Sequence, residues 1–309
     1  MPLARFENFN LNYLQISPTP VHQELKVDKP GNLVMVHGLA TSLAFWYPLA
    51  QNLTQTHRVT LFDLRGHGRS SMPKTGYSPS QMAEDLKQLM DYLELETADL
   101  VGHSFGGSVI LHFALRYPQR VRTLAFVDTR IKLLQPEQKP TNWVHWDKLQ
   151  PSLEEAGIYL DEEHPEAGYQ ILVEMARWRL EPHHGKSPFP KLFSLLFPQG
   201  GSKHAAKRWL KLVETTTAGQ DFQAPSTLNL EQLQQLEKPT FAIYGERSPT
   251  LPTAEILKQI WLHAHFDLVP KAGHFFPLSQ PDLLLAKLQN FYYHLSLNPT
   301  PVNEQFVTG

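Results

Sequence analysis

Cysteine is missing from this chain of 309 residues, which excludes disulfide bonds, a cysteine nucleophile and thiolate metal sites. The chain also has no large excess of either charge, since it contains 28 Lys and Arg residues and 30 Asp and Glu residues. The formal net charge of -2 gives no reason to expect nucleic acid or an anionic membrane surface as a partner.

Long apolar runs are also absent. No segment approaches the roughly 20 apolar residues of a membrane span. The N-terminal residues Met1–Phe6 do not contain the apolar core of a signal peptide. We therefore expect a cytoplasmic protein without a membrane span. A chain of this length can bury about three-quarters of the surface that its unfolded form exposes, enough for one large domain or a domain with an insertion.

Short β-like runs alternate with helical patterns in the first half of the chain and again near its end. The predicted buried strands are Leu33–Val36, Val59–Phe62, a run ending at Leu100 and Val101, Leu124–Val127, Phe241–Tyr244 and Phe266–Val269. Ser78 and Pro79 predict the start of one helix, as a cap and a first-turn proline, and Leu283–Tyr292 predicts a closing helix. Repeated strand–helix units predict an α/β fold with a mostly parallel central sheet flanked by helices.

Residues 130–229 interrupt this alternation with helical patterns and almost no β-like runs. Their aromatic residues include Trp143, Trp146, Trp178, Trp209, Phe189, Phe193, Phe197, Tyr159 and Tyr169. We expect an inserted helical cap here, with two or three of the aromatics lining a ligand pocket and the others forming the cap's own core. The α/β core then comprises residues 1–129 and 230–297, and residues 298–309 form a loose tail.

The segment Gly102–Gly107 places a serine between a β-like run and a helical pattern, with glycines two residues before and after Ser104. A sharp strand–turn–helix of this kind strains the serine backbone and projects its hydroxyl away from the sheet, and it requires small neighbours. The amide of Phe105 then points at the reacting atom from the positive end of the helix. We therefore predict Ser104 as a nucleophile.

Two further loops supply partners for such a serine. His37-Gly38-Leu39 follows the first clear strand and can place the backbone amide of Leu39 opposite that of Phe105, so that both hold an oxyanion. We expect the His37 side chain to stabilise this loop. His274 follows the last strand and is the predicted general base. The histidines expected instead at the surface or in the cap are His57, His145, His164, His183, His184 and His204.

The segment Asp63–Ser70 reads Asp-x-Arg-Gly-x-Gly-x-Ser. Together with His37-Gly38, Gly102–Gly107 and Gly273-His274, it resembles the α/β-hydrolase superfamily over nearly the full length outside the cap. The resemblance implies a nucleophile at Ser104, a base at His274 and oxyanion amides at Leu39 and Phe105, with no cofactor or metal. It also implies that Asp63, Arg65 and His67 buttress the loops.

The acidic residue that orients the histidine, the third member of a Ser-His-Asp triad, is the one departure from this pattern. After the strand Phe241–Tyr244, capped members of the family often carry an aspartate where this chain has Ser248. A neutral hydroxyl does not stabilise an imidazolium as a carboxylate does. Asp128, at the end of the strand Leu124–Val127, is the favoured substitute, because some branches of the family take their acid from that strand end. Glu246 is the second candidate.

These residues predict a serine hydrolase that cleaves an ester or thioester of a largely apolar substrate through an acyl-enzyme. The first alternative is a non-hydrolytic lyase or synthase, or a carbon–carbon hydrolase, on the same scaffold. The second alternative is a receptor-type binding protein. The basic residues Lys203, Lys207 and Arg208 could contact coenzyme A or a carrier protein, but their spacing equally suits a solvated helix face.

Overall fold

The computed structural model describes residues 2–17, 31–144, 146–181 and 202–297. Within them, one eight-stranded sheet has the order β1-β2-β4-β3-β5-β6-β7-β8. The strands are β1 (Leu3–Arg5), β2 (Asn10–Ile16), β3 (Gly31–Val36), β4 (His57–Phe62), β5 (Ala98–His103), β6 (Val121–Val127), β7 (Thr240–Gly245) and β8 (His265–Val269). All six predicted strands are present, so the predicted α/β fold is confirmed.

The sheet is parallel from β4 to β8, and β1 and β2 add two antiparallel strands at one edge. Strand residues alternate between the two faces, as the two-residue period requires. Val34 and Val36 therefore pack into one hydrophobic core and Leu33 and Met35 into the other. The central parallel strands β3 to β7 are largely buried on both sides, which explains why they read as continuous apolar runs, whereas the edge strand β8 is partly exposed.

Helices cover both faces of the sheet. They are α1 (Tyr47–Leu53), α2 (Pro79–Tyr92), α3 (Phe105–Arg116), α4 (Trp146–Glu155), α5 (Ala167–Leu180), α6 (Ser202–Thr215), α7 (Ala218–Asp221), α8 (Leu230–Gln234), α9 (Leu251–Ile260), α10 (Phe276–Ser279) and α11 (Pro281–Leu297). Short 3-10 turns span Leu43–Trp46, Pro118–Arg120 and Pro140–Asn142. Ser78 caps α2 by accepting a hydrogen bond from the Gln81 amide at 3.2 Å. None of the described helices is both long and apolar enough to cross a membrane.

The described part of residues 130–229 contains α4 to α7 and contributes no strand to the sheet. Trp146 forms a small apolar cluster there with Leu153, Ile158 and their neighbours, whereas Trp209 belongs to the larger core beside the sheet. The expected tail at 298–309 lies outside the described residues, as do Phe189, Phe193, Phe197, His145, His183 and His184.

The prediction that His57 lies at the surface is wrong. His57 begins β4 and is only 6% exposed. Its Nε2 lies 3.1 Å from Asp99 Oδ2, and its ring packs against Tyr292. The polar imidazole is tolerated in this interior position because a carboxylate accepts its hydrogen bond. His204 is exposed, as expected, and His164 is half-buried.

Candidate active site

The loops that carry the predicted site residues all leave the sheet at one edge. Leu39 follows β3, Ser104 follows β5, Asp128 follows β6 and His274 follows β8. Neighbouring parallel strands end at the same edge, and the crevice outside their carboxyl ends is where open α/β sheets bind ligands. Topology alone therefore gathers residues that are up to 235 positions apart in the sequence.

Ser104 occupies the turn between β5 and α3 with φ 53° and ψ -121°, a strained conformation for a residue with a side chain. Its amide donates to the Val127 carbonyl at 3.0 Å, which fixes the turn against β6. A Cβ on Gly102 would lie 2.5 Å from the Gly106 carbonyl oxygen. A Cβ on Gly106 would lie 2.3 Å from the Val36 carbonyl oxygen, so both glycines are required sterically.

Ser104, His274 and Asp128 form a continuous hydrogen-bonded chain. His274 Nε2 lies 3.0 Å from Ser104 Oγ, and His274 Nδ1 lies 2.7 Å from Asp128 Oδ1. A carboxylate can only accept, so Nδ1 carries the proton and Nε2 presents its lone pair to the serine hydroxyl. This is the tautomer that a general base needs in order to remove the hydroxyl proton.

The Asp128 carboxylate is completely buried and accepts hydrogen bonds on both oxygens. Oδ2 accepts from the Gly245 amide at 2.7 Å, and Oδ1 accepts from the hydroxyls of Ser248 and Thr250, the latter at 2.6 Å. Burial by itself would raise the pKa of Asp128. The His274 imidazole and the two hydroxyls outweigh it and hold the pKa below its ordinary value. The group is therefore ionised at neutral pH.

Ser248 occupies the position where the family often has an aspartate, and here it stabilises the Asp128 carboxylate by donating a hydrogen bond to it. Its hydroxyl donates to the Asp128 carboxylate and lies 3.1 Å from Thr250 Oγ1. An aspartate at 248 would instead face a second carboxylate across a buried space. Glu246, the other candidate acid, is exposed and accepts from the Lys271 amide at 2.6 Å. It makes no contact with His274 that would orient the ring.

The two predicted oxyanion amides belong to residues that line the same cavity as Ser104. Phe105 is the first residue of α3, where backbone amides have no acceptor within the helix. Leu39 follows Gly38, and a Cβ on Gly38 would lie 3.1 Å from Ser104 Cβ, so this loop passes directly beside Ser104. The two residues whose amides are predicted to hold an oxyanion therefore both lie close to the Ser104 side chain.

Backbone strain concentrates at these loops. Among the described residues, five without a glycine's freedom have positive φ: Ala40, Glu94, Ser104, Asp128 and Lys271. All except Glu94 lie on the loops that present Leu39, Ser104, Asp128 and His274. Each such residue costs of order 1 kcal/mol or more and persists only where its surroundings enforce it. The geometry of this edge of the sheet therefore lowers the free energy of unfolding.

Buried polar residues hold the loops in place. His37 Nε2 accepts from the Leu64 amide at 3.1 Å while Nδ1 donates to the Gly38 carbonyl at 2.7 Å, which ties the loop after β3 to the loop after β4. Asp63 accepts from Leu43 N, Asn12 Nδ2 and Arg69 N at 2.7–2.8 Å. Neither side chain reaches Ser104, which agrees with the supporting roles inferred from the sequence.

His103 is a supporting residue that the sequence did not single out. Its Nε2 donates to the backbone carbonyl of His274 at 3.0 Å, and its ring stacks on Phe45 at 4.5 Å. Burial lowers the pKa of His103 to about 3, so the ring is neutral beside the His274 ring. Only its position directly before Ser104 could have suggested a role.

The buried imidazoles make stability depend on pH. Burial lowers the pKa of His37 to about 4 and the pKa values of His67 and His103 to about 3. An unfolded histidine titrates near 6.5, so below that pH the unfolded chain binds protons that the folded chain does not bind. Stability therefore rises with pH between about 4 and 6.5, by up to about 4 kcal/mol per pH unit for the three residues.

Urea unfolding at pH 7.5, 6.0 and 5.0 measures this dependence. Burial also lowers the pKa of His112 to about 4, so we expect His67→Phe to lose about a quarter of the slope, since one of four such imidazoles is gone. The exposed His204→Gln is the matched control and should leave the slope unchanged. Equal free energies of unfolding at pH 7.5 and 5.0 would contradict the burial of neutral rings.

A cavity of about 400 Å³ opens beside Ser104 and His274. The described part of residues 130–229 supplies much of its wall, including Trp143, Tyr169, Ile171, Leu172, Met175 and Phe222. Most of this lining is apolar, as is usual for sites that bind small molecules. No group of three or more metal-binding side chains occurs within the described residues.

Known proteins resemble this chain in both sequence and fold. The sequence is 40% identical over 112 residues to RutD of Variovorax paradoxus, a candidate carbamate hydrolase, covering 35% of this chain and 42% of RutD. It is 35% identical over 127 residues to the Abhydrolase domain-containing protein abhd-5.2 of Caenorhabditis elegans, covering 40% of this chain and 28% of that protein. The chain's matches span 28% to 47% of these and further curated relatives.

The fold is similar to that of carboxylesterase CesB from Bacillus subtilis. The two structures superpose with a TM-score of 0.64 at 20% identity, over 94% of this chain and 90% of CesB. A family model for the alpha/beta hydrolase fold matches residues 31–281. This match covers most of the sheet and every loop of the candidate site, and the chain therefore belongs to the α/β-hydrolase family.

Proposed function

We propose that this protein is a serine hydrolase that cleaves carboxylic esters or thioesters through an acyl-enzyme on Ser104. The observation that carries the proposal is the unbroken chain from Ser104 Oγ through His274 to the buried Asp128 carboxylate. The family match and the carboxylesterase-like fold agree with this chemistry.

The reaction follows the geometry of these three groups. His274 Nε2 removes the Ser104 hydroxyl proton as the oxygen attacks the substrate carbonyl. The amides of Leu39 and Phe105 stabilise the resulting oxyanion, and Asp128 stabilises the imidazolium. His274 then protonates the leaving alcohol or thiol. In the second half-reaction it activates water, which releases the acid and restores the serine.

The apolar cavity supports a largely apolar acyl or leaving group. We propose that the described part of residues 130–229 acts as a cap over the sheet edge, because it supplies Trp143, Tyr169 and Phe222 to the same cavity as Ser104. A contact with coenzyme A or a carrier protein has less support. Lys203 and Lys207 are exposed, but the Arg208 guanidinium donates to the Ser70 carbonyl and is turned toward the protein.

Steady-state kinetics with p-nitrophenyl esters from acetate to decanoate test this function. We expect kcat/KM to rise with chain length by up to about fourfold per methylene until the cavity is filled, since each buried CH2 contributes about 0.8 kcal/mol. The corresponding acyl thioesters of coenzyme A form the second arm and separate esterase from thioesterase activity. Failure to hydrolyse any member of either series would contradict the proposal and favour the lyase or receptor alternatives.

A further inference from the structure

One part of the cavity wall carries polar side chains from a single helix. Ser108 and His112 lie four residues apart on α3 and therefore share one helix face, which begins just after the turn that carries Ser104. All three line the cavity. Eight residues of helix rise by about 12 Å, so His112 lies that far from the nucleophile along the helix axis.

Helix α2 brings a third polar side chain to this wall. Glu84 accepts from the Tyr117 hydroxyl at 2.7 and 2.8 Å and pairs with Arg116 at 2.9 Å, which sets α2 beside the end of α3. One helical turn earlier on each helix lie Ser80 and His112, and both line the cavity. We refer to Ser80, Ser108 and His112 as the polar wall.

His112 has hydrogen-bonding capacity that the described protein does not use. Burial lowers the pKa of His112 to about 4, so its half-buried ring is neutral and offers one donor and one acceptor. No hydrogen bond or ion pair joins the ring to any other described residue. Ser108 Oγ donates to the Arg130 carbonyl at 3.2 Å and keeps its lone pairs for an acceptor role.

A partly desolvated polar group without a partner favours a ligand that satisfies it. The polar wall itself does not favour an ionic ligand, because the His112 ring is neutral and Glu84 is engaged by Tyr117 and Arg116. The lining cations Arg130 and Lys132 both pair with Glu166. An oxygen that both donates and accepts suits the imidazole and the serine hydroxyls best. Leu111 and Met175 line the same cavity and suit an apolar chain between this oxygen and the reacting carbonyl.

We propose that the polar wall binds an uncharged oxygen-bearing group, a hydroxyl above all, on the substrate about 12 Å from the carbonyl that Ser104 attacks. The preferred substrates are thus esters or thioesters of apolar chains that bear a remote hydroxyl. This specificity rests on the proposed hydrolase function. Sites that hydrogen-bond a substrate hydroxyl discriminate against the analogue without it more strongly than apolar pockets discriminate by size.

The test compares p-nitrophenyl 10-hydroxydecanoate with p-nitrophenyl decanoate. The measured quantity is the ratio of kcat/KM for the hydroxylated ester to that for the plain ester. We expect His112→Leu to lower this ratio about three- to tenfold, as loss of one hydrogen bond predicts. His112→Gln, which keeps a donor and an acceptor, should restore part of the ratio, and the exposed His204→Leu should leave it unchanged.

Binding of two neutral alcohols keeps the test independent of turnover. Calorimetry of decane-1,10-diol and decan-1-ol should show that His112→Leu weakens binding of the diol relative to the mono-alcohol by a similar factor. If no ester is hydrolysed but the diol preference depends on His112, the hydrolase proposal fails and the polar wall stands. An ester ratio and an alcohol preference that both survive in His112→Leu would overturn the polar wall.

Discussion

Replacing Ser104 with alanine is expected to lower kcat for an activated ester by about 10⁶-fold, the largest effect of any single substitution in this chain. The hydroxyl is the atom that forms the acyl-enzyme, and no other described side chain occupies its place beside His274 Nε2. The oxyanion amides of Leu39 and Phe105 remain in the variant. They should leave a residual rate about 10³- to 10⁴-fold above the uncatalysed reaction.

Initial rates of p-nitrophenyl ester hydrolysis measure this loss, and far-UV circular dichroism checks that the variant is folded. Ser296→Ala is the matched control, because Ser296 is an exposed serine on α11 far along the chain from the site. It should retain the wild-type rate. A Ser104→Ala enzyme that keeps more than a few per cent of wild-type kcat would show that Ser104 is not the nucleophile.

The second large effect is expected from Asp128→Asn, which should lower kcat by about 10⁴-fold and leave KM nearly unchanged. The amide retains the shape of the carboxylate but removes its charge, and its NH2 group can take the place of the oxygen that now accepts from His274 Nδ1. The histidine then adopts the wrong tautomer and presents an N–H to the serine. The Gly245 amide would still donate to the remaining oxygen, and the Ser248 and Thr250 hydroxyls can accept from the new NH2 group, so the fold should persist.

Glu246→Gln is the matched control for Asp128→Asn, since it removes the charge of the rival carboxylate. Glu246 is exposed and binds the Lys271 amide, so this variant should keep kcat within about twofold of wild type. Kinetics of both variants at one pH, with thermal unfolding of each, complete the comparison. The opposite pattern, an active Asp128→Asn and an inactive Glu246→Gln, would assign the acid to Glu246.

The sequence predicted the parallel part of the sheet because strands β3 to β7 are largely buried on both faces and read as apolar runs, and because Phe266–Val269 in the partly exposed β8 is still mostly apolar. It did not predict β1 and β2. In β2, Leu11 is fully buried and Asn12 is buried beside Asp63, while most of the strand is half-buried. The pairing of β2 with β4 depends on contacts 43 or more residues away, which local patterns do not contain.

The candidate site was predictable wherever local chemistry is distinctive. The glycines around Ser104 predict a tight strand–turn–helix, and the loop that carries His274 is recognisable from its local sequence and its position after Ser104 in the chain. The supports of Asp128 do not, because Ser248 and Thr250 are 120 and 122 residues away from it and look like ordinary turn residues. His57 shows the same limit, since only the fold reveals that Asp99 accompanies it into the core.

Covalent labelling of the enzyme with a fluorophosphonate, followed by peptide mass spectrometry, tests most directly whether Ser104 is a nucleophile activated by His274 and Asp128. The reagent mimics the tetrahedral intermediate and reacts with a serine only when a neighbouring base activates it. We expect one label per chain, located on Ser104, and we expect labelling of the Asp128→Asn variant to be greatly slowed. No label, or a label on another residue, would contradict a nucleophile at Ser104 activated through His274 and Asp128.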